Sequence, residues 1–308
     1  MPENKHRLIT RADFDGVVCG ALFHELGMID DIAFAEPNDM QQGRVPVSDK
    51  DISTNLPFVD GIHLCFDHHR SELERVGEKE NLIIDADAPS AARVGYRHFG
   101  GKEAFPDISE ELLDAVDQAD SAQYTGEDIL VPEKWTLLNF IIDPRTGLEA
   151  VDGFSIAHNA FLYDLMTYCR HNPIDEILGL PDVQERVNVY MYQKEFAELQ
   201  LVRCSTAHDN LVVADLREED PIYVCNRFLI YALNPECNIS MHLLRSPEAG
   251  KTRIAVGKSI LDRSSKTDIG SLLLEYGGGH STAGGCRVDD AKSDEVVAQL
   301  IERITADV

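Results

Sequence analysis

The sequence predicts an α/β protein of two domains. The first has a mostly parallel sheet flanked by helices, the second is smaller and has a mixed sheet, and a helical linker joins them. Short apolar segments typical of buried strands alternate with segments of helical periodicity toward both ends of the chain. Between residues 134 and 204 the pattern is helical throughout. The chain of 308 residues is long enough to bury two separate cores.

The first part of the chain is predicted to alternate between strands and helices. HRLIT, residues 6–10, is typical of a buried strand, and GVVCGALFHELG, residues 16–27, predicts a helix that ends at Gly27. The apolar segments IAFA, VPVS and IHLCF predict further strands, and SAARVGYRHFG and ISEELLDAVDQAD predict helices. This alternation indicates a mostly parallel sheet, whose ligands gather beyond the carboxyl ends of the strands.

The second part of the chain follows a long helix. DVQERVNVYMYQKEFAELQLVRC carries a continuous apolar stripe and predicts the helix between the domains. A second alternating unit then contains the apolar segments NLVVADL, PIYVC, RFLIYAL, NISMHLL and TRIAVGKS, with helices at DIGSLLLEY and SDEVVAQLIERI. We expect the first domain at residues 1–182, the linker helix at 183–204 and the second domain at 205–308.

The charge of the chain restricts its partners. With 54 acidic and 28 basic residues the net charge is -26, so the surface should repel long nucleic acids while leaving short anionic substrates open. We expect a cytoplasmic protein without a membrane partner, because neither a signal segment nor an apolar run of roughly 18 residues is present. The seven scattered cysteines predict buried, reduced thiols.

Acidic residues follow several of the predicted strands. Asp13 and Asp15 lie in the turn after the first strand, Asp49 follows VPVS, and Asp67 follows IHLCF. Taken alone, a D-x-D-G sequence is as well explained by a helix cap. Because the carboxyl ends of parallel strands meet at one edge, the acids together predict a divalent-cation site. Asp120, near a helix end, is by itself a turn or cap residue.

The triplet Asp67-His68-His69 has two interpretations. Successive side chains of a strand point to opposite faces, so the three can enter one site only if the chain leaves the strand there. Otherwise they are polar residues where a strand ends. Imidazole combined with carboxylates favours Mn²⁺ or a similar ion, whereas carboxylates alone favour Mg²⁺.

A glycine-rich stretch, YGGGHSTAGGCRV, lies near the C-terminus. Five glycines in this segment expose backbone amides that, with His280, predict a cradle for a phosphate or a carboxylate. A plain turn is the alternative. Arg263 and Lys266, upstream, could contact a second phosphate or a base, although each alone is typical of a solvated surface.

The order of these motifs, D-x-D-G, a strand-end Asp, D-H-H, A-D-S and G-G-G-H, resembles the DHH phosphoesterase superfamily over nearly the whole chain. The resemblance is to the subgroup with a DHH-associated C-terminal domain. That subgroup includes the RecJ exonuclease, nano-RNases, phosphatases of 3′-phosphoadenosine 5′-phosphate and cyclic-dinucleotide phosphodiesterases, and its members are often described as exopolyphosphatase-related. It implies a DHH catalytic domain followed by a substrate-binding domain.

The resemblance also implies roles for single residues. The metal ligands would be Asp13, Asp15, Asp49, His68 and Asp120, holding one or two Mn²⁺ or Mg²⁺ ions that activate a water for in-line attack on phosphorus. Asp49 would bridge two ions, Asp67 would be a further ligand or would support the ligands and set their geometry, and His69 would face the phosphate. The rest of the substrate would be held by Gly278, Gly279, His280 and Gly285, with Arg263 and Lys266.

One position departs from the family pattern. A histidine that usually precedes the two acids and ligates the first metal is replaced by Arg11, and a guanidinium cannot bind a metal. Three outcomes are open: the first metal binds weakly, another group such as His63 or a water substitutes, or Arg11 holds the substrate phosphate.

We therefore expect a metal-dependent phosphoesterase that cleaves phosphodiester or phosphomonoester bonds of short nucleotides. Nano-RNA, linear dinucleotides and 3′-phosphoadenosine 5′-phosphate are the candidate substrates, and a homodimer is compatible with this expectation. Exopolyphosphatase or pyrophosphatase-like activity is one alternative. A nucleotide-binding protein that lacks activity, with a degraded first metal site, is another.

Overall fold

The computed structural model describes residues 5–306 and divides into two compact units. The first unit comprises the residues up to Gln123 together with Pro132–Val189. The second comprises Tyr124–Val131 and the residues from Tyr190 onward. Each unit has its own sheet, five strands in the first and six in the second, so the predicted two-domain α/β class is confirmed.

The helices and strands alternate from the start of the described chain. In order they are β1 His6–Thr10, α1 Phe14–Glu25, β2 Ile29–Phe34, α2 Pro37–Gln41, β3 Asp51–Thr54, β4 Leu64–Asp67, α3 Arg70–Val76, β5 Leu82–Ile84, α4 Ala91–His98, α5 Glu110–Asp120, α6 Gly126–Leu130, α7 Lys134–Ile142, α8 His158–His171, α9 Ile174–Leu178 and α10 Pro181–Cys204. Short 3₁₀ turns lie at Gly101–Glu103, Pro144–Thr146 and Leu148–Ala150.

The remaining elements belong to the second unit. They are β6 Ser205–His208, β7 Leu211–Asp215, α11 Leu229–Leu233, β8 Ile239–Arg245, β9 Lys251–Lys258, α12 Ile269–Leu273, β10 Gly277–Gly279, β11 Ala283–Asp289 and α13 Asp290–Thr305. None of the described helices is both long and apolar enough to cross a membrane.

The sheet of the first unit is entirely parallel, with strand order β2-β1-β3-β4-β5. Its core includes Leu8, Phe23, Ile52 and Phe66, which are at most 1% exposed. Because all five strands run the same way, β1, β3 and β4 end at one edge. That edge positions the candidate site.

The third strand differs from its prediction. VPVS, residues 45–48, is not a strand, and β3 runs instead over the polar segment Asp51–Thr54. Asp51 is 2% exposed and accepts a 2.8 Å hydrogen bond from Nε of Arg7. The strand is buried although it is polar, because its charge is paired, and apolar periodicity therefore does not reveal it.

The sheet of the second unit is mixed, with strand order β10-β11-β9-β8-β7-β6. Only the β7–β8 pair of this described sheet is parallel. Its apolar core includes Met241, Leu243, Ile254 and Leu300. PIYVC forms no strand, and RFLIYAL contains the short helix α11.

The long helix α10 contains the predicted linker, residues 183–204, and the two units divide within it between Val189 and Tyr190. The segment around α6 packs in the second unit, where Nδ2 of Asn226 donates to the carbonyl oxygen of Ile129 at 3.2 Å. The sequence did not predict this excursion. The domain bounds 1–182, 183–204 and 205–308 stay a prediction.

Candidate active site

Asp13 lies in the tight turn between β1 and α1. It caps α1 by accepting a 3.0 Å hydrogen bond from the backbone N of Gly16, and it is 5% exposed. A Cβ at position 16 would lie 2.0 Å from the carbonyl oxygen of Arg11. Only glycine therefore permits this turn, which brings Asp13 to the edge of the sheet.

Asp15, in the first turn of α1, is held by the start of another helix. Its two carboxylate oxygens accept hydrogen bonds from the backbone N of Ala91 at 3.1 Å and of Ala92 at 2.8 Å, at the N-terminus of α4. Burial raises the pKa of Asp15 well above its ordinary value, and the charge of Asp120 adds to the rise. A cation would offset both effects.

His68 follows the last residue of β4, where the chain leaves the strand. Its Nδ1 lies 3.3 Å from the carbonyl oxygen of Ala88, so Nδ1 carries the proton and donates. Its Nε2 lies 2.9 Å from Oδ2 of Asp120, yet it is buried without a hydrogen-bond partner among the described residues. In the neutral imidazole both atoms are acceptors, and protonation of Nε2 turns the contact into an ion pair.

The charge around His68 is strongly negative. Burial by itself lowers the pKa of the imidazole, but the close approach of Asp120 and the charges of Asp15 and Asp67 more than offset it and raise the pKa to about 9. The ligand atoms of Asp15, His68 and Asp120 lie within 4.8 Å of one another. Two carboxylates and an orphaned imidazole nitrogen fit a divalent cation of the Mn²⁺ type.

Asp67 and His69 form a pair beside this cluster. Oδ1 of Asp67, which is 1% exposed, accepts hydrogen bonds from the backbone N of His68 at 2.8 Å and from Nδ1 of His69 at 2.8 Å. The three residues of the triplet are also close enough to hold a metal. However, the Asp67–His69 hydrogen bond aims these two groups at each other, and it leaves Nε2 of the half-exposed His69 for another partner.

Arg11 lies next to Asp13. Its Nε is 3.4 Å from Oδ2 of Asp13. Burial raises the pKa of Asp13, and the guanidinium of Arg11 opposes that rise. The position where the family pattern has a metal ligand therefore holds an ion pair.

The predicted position of Asp49 is wrong. Asp49 is exposed and lies in the turn before β3, at the edge where the parallel strands begin. Because a strand advances about 3.3 Å per residue, β3 separates Asp49 from the site by about 10 Å or more. The error follows from the wrong strand at VPVS, and Asp49 cannot bridge metals at the other edge.

Asn55 occupies the position that was assigned to Asp49. It directly follows β3 and is 2% exposed, with a backbone φ of 54°. Its side-chain nitrogen and oxygen are both buried without a hydrogen-bond partner among the described residues. Sequence reasoning missed Asn55, although it would have been found had DIST been recognised as the strand.

Arg145 is a second residue that sequence reasoning missed. It lies in the 3₁₀ turn after α7, and its positive charge acts on both Asp13 and Asp120. Nothing in the segment DPRTG signals this role, because the turn is far from the motifs in sequence.

The glycine-rich stretch forms an antiparallel hairpin of β10 and β11 rather than a loop. A Cβ at Gly279 would lie 2.4 Å from Cα of Gly284, and one at Gly284 would lie 2.7 Å from the carbonyl oxygen of Gly278. A Cβ at Gly285 would lie 3.1 Å from the carbonyl oxygen of Ile254. Close backbone packing thus explains these glycines, whereas a Cβ at Gly278 would meet nothing within 4 Å.

The predicted substrate-binding side chains lie around the turn of this hairpin. Arg263, Lys266 and His280 are all exposed. The backbone N of His280 donates to the carbonyl oxygen of Ala283 at 2.8 Å, and that of Ile269 donates to Ser281 at 3.2 Å. The second hydrogen bond joins the turn to the segment that carries Arg263 and Lys266. Their roles in binding stay a prediction.

Carboxylates and imidazoles cluster at the carboxyl edge of the parallel sheet, where α/β proteins bind their ligands. The pGpG-specific phosphodiesterase PggH from Vibrio cholerae is 47% identical to this chain, with a TM-score of 0.90, over 99% of this chain and 100% of that chain. The chain therefore belongs to the family of that phosphodiesterase and is an enzyme that hydrolyses phosphoester bonds.

A more distant solved structure shares the fold alone. CDC45 from Entamoeba histolytica is 8% identical, with a TM-score of 0.56, over 98% of this chain and 96% of that chain. No family model and no curated protein sequence matches the chain.

Proposed function

We propose that the protein is a divalent-metal-dependent phosphodiesterase that hydrolyses short linear dinucleotides such as pGpG to mononucleotides. The observation that carries the metal dependence is the cluster of Asp15, His68 and Asp120, whose ligand atoms lie within 4.8 Å of one another. The substrate is proposed from the 47% identity with a pGpG-specific enzyme. The net charge of -26 also favours a short substrate over a long strand.

We also infer that the chain is a member of the DHH phosphoesterase superfamily, in the subgroup with the DHH-associated C-terminal domain. The order of the motifs supports this assignment, with Asn55 in place of a strand-end acid. The non-catalytic alternative has less support, because the chain belongs to a family of hydrolases.

Separate groups of residues would bind the metal and contact the substrate. Asp15, His68 and Asp120 would hold the cation, which would lower the pKa of a water and neutralise charge on the phosphoryl group. Because Asp67 accepts from Nδ1 of His69, Nε2 of His69 is the atom that can contact a phosphoryl oxygen or donate a proton to the leaving oxygen. Hydrolysis adds one water across the phosphodiester bond, and pGpG yields two molecules of GMP.

The second unit would hold the remainder of the dinucleotide. Arg263, Lys266 and His280 are exposed. The two cations suit a terminal phosphate, and all three side chains can form hydrogen bonds to a base. The amide at Gly278 is exposed, and the residue has no steric reason to lack a side chain.

A turnover screen tests the proposal. Chelator-stripped protein is supplied with Mn²⁺ or Mg²⁺ and offered pGpG, other dinucleotides, cyclic di-GMP, 3′-phosphoadenosine 5′-phosphate, polyphosphate and a long single strand. We expect pGpG and related dinucleotides to be cleaved fastest, and only with metal. Faster cleavage of polyphosphate or of the long strand would refute the proposed substrate class.

A further inference from the structure

The half of the site formed by the ends of β1 and β3 is poorly suited to a metal ion. It contains one carboxylate, Asp13, and the amide of Asn55, where a carboxylate would otherwise supply a second charge. Nε of Arg11 lies 3.4 Å from Oδ2 of Asp13, so the only carboxylate here is already paired with a cation. A metal ion at this position would be repelled by the guanidinium and would have a single charged ligand, Asp13.

Arg145 adds a second guanidinium to this half-site. Its Nε donates a 2.7 Å hydrogen bond to Oδ1 of Asp143, and its backbone N donates to the same oxygen at 2.9 Å. Asp143, which is only 7% exposed, thus holds the guanidinium of Arg145 at its Nε atom. The Nη1 and Nη2 groups make no hydrogen bond to any described residue, and the side chain is 43% exposed.

The half-site combines two guanidinium groups with two carboxylates. Arg11 is paired with Asp13 and Arg145 with Asp143. Both guanidinium groups also interact electrostatically with Asp13. In a chain whose net charge is -26, two guanidinium groups that act on the same point provide cationic donors for an anion on an otherwise repulsive surface.

We propose that Arg145 and Arg11 bind the phosphate of the substrate and replace the second metal ion, so that the site works with a single cation held by Asp15, His68 and Asp120. The proposal rests on the proposed function. The unpaired Nη groups of Arg145 can form two parallel hydrogen bonds to phosphate oxygens. The neutral amide of Asn55 can donate to the same anion, whereas a carboxylate there would repel it.

The buried side chain of Asn55 supports an occupant at this position. An unsatisfied buried amide destabilises the fold, and the left-handed backbone of Asn55 adds to this cost. A bound phosphate would accept from Nδ2, and a protonated phosphate oxygen or a water would donate to Oδ1. The buried amide is therefore compatible with a phosphate at this position.

Two measurements on the full-length, chelator-stripped protein test the inference without turnover. Calorimetric titration with MnCl₂ should give one ion per chain in the parent and in Arg145→Ala. Titration of the Mn²⁺-loaded proteins with inorganic phosphate should show a Kd about tenfold higher or more for Arg145→Ala, as expected for loss of a charge-assisted hydrogen bond. Arg145→Lys, which keeps the charge but not the paired donors, should fall between them.

Arg217 offers a matched control. Its Nε likewise donates to the Asp two residues before it, Asp215, at 2.9 Å, but it lies in the second unit. Arg217→Ala should leave phosphate affinity unchanged, and thermal melting should confirm that each variant is folded.

Two Mn²⁺ ions per chain would overturn the inference, as would a parent that binds no phosphate or an Arg145→Ala that binds it as the parent does. A failure of the proposed function would appear separately, as a parent that does not cleave pGpG.

Discussion

The Nδ1 atom of His68 lies 3.3 Å from the carbonyl oxygen of Ala88, and this contact selects the atom of the imidazole that can bind a metal. A carbonyl oxygen only accepts, so Nδ1 must donate, and Nε2 is the nitrogen that loses its proton when a metal binds. Nε2 lies 2.9 Å from Oδ2 of Asp120. The two residues come from the end of β4 and from the end of α5, so the fold joins ligands that are distant in sequence.

Loss of either ligand should abolish tight binding of Mn²⁺. We expect His68→Ala and Asp120→Asn each to weaken Mn²⁺ binding about tenfold or more in a calorimetric titration, because each removes one of three proposed protein ligands. Asp114→Asn is the matched control, since it removes the same charge from the exposed face of the same helix. Equal affinity in His68→Ala and the parent would show that the metal lies elsewhere.

Substitution of Asp67 should lower the rate of hydrolysis without changing the binding of Mn²⁺. Asp67→Asn replaces the carboxylate that accepts from Nδ1 of His69, so the imidazole loses the hydrogen bond that orients it. We expect kcat on pGpG to fall at least about 10²-fold. Mn²⁺ stoichiometry should remain that of the parent. A fall in kcat that is matched by loss of Mn²⁺ would make Asp67 a ligand instead.

Mn²⁺ binding should depend on pH. The pKa of His68 in the metal-free protein is about 9, so at pH 7 the imidazole carries a proton that the metal must displace. The Mn²⁺ affinity should therefore rise about tenfold per pH unit between pH 6.5 and 8.5. Titrations at pH 7 in two buffers of different ionisation enthalpy should reveal the released proton. An affinity that does not change with pH would contradict this account.

The same proton stabilises the metal-free fold. Because the pKa of His68 is raised above its ordinary value near 6.5, its contribution is fully present below about pH 6.5 and is lost as the pH rises through about 9. We expect the metal-free protein to melt at lower temperature as the pH rises across this range. His68→Ala should flatten this dependence, since the residue that titrates is gone.

The motifs at the ends of β1 and β4 were predictable from sequence. A buried apolar strand followed by a D-x-D-G turn or by a D-H-H triplet indicates where a parallel sheet ends, and this edge brings Asp13, Asp15 and His68 together. Asn55 could not be found in this way, because β3 is a polar segment and lacks the apolar pattern of a buried strand. Its Asp51 is buried in an ion pair with Arg7 and a hydrogen bond from Ser48. Arg145 is positioned by a 3₁₀ turn after α7, which no local pattern connects to the site.

In the hairpin of β10 and β11, packing requires glycine at position 284 but not at position 278. Gly284→Ala should destabilise the second unit, because the added Cβ would lie 2.7 Å from the carbonyl oxygen of Gly278. Gly278→Ala should leave the melting temperature within about 1 °C, because its Cβ would meet no atom within 4 Å. If Gly278 contacts the substrate, KM for pGpG should rise in Gly278→Ala alone. An unchanged KM would remove Gly278 from the proposed binding site.

Hydrolysis of pGpG by chelator-stripped protein, followed as Mn²⁺ is added back, tests the central claim most directly. The parent and Asp114→Asn should release no GMP without metal and should release two GMP per pGpG as Mn²⁺ is restored. His68→Ala should stay at least about 10²-fold slower at the same Mn²⁺ concentration. Cleavage of pGpG in the presence of excess chelator, or parent activity in His68→Ala, would contradict the account.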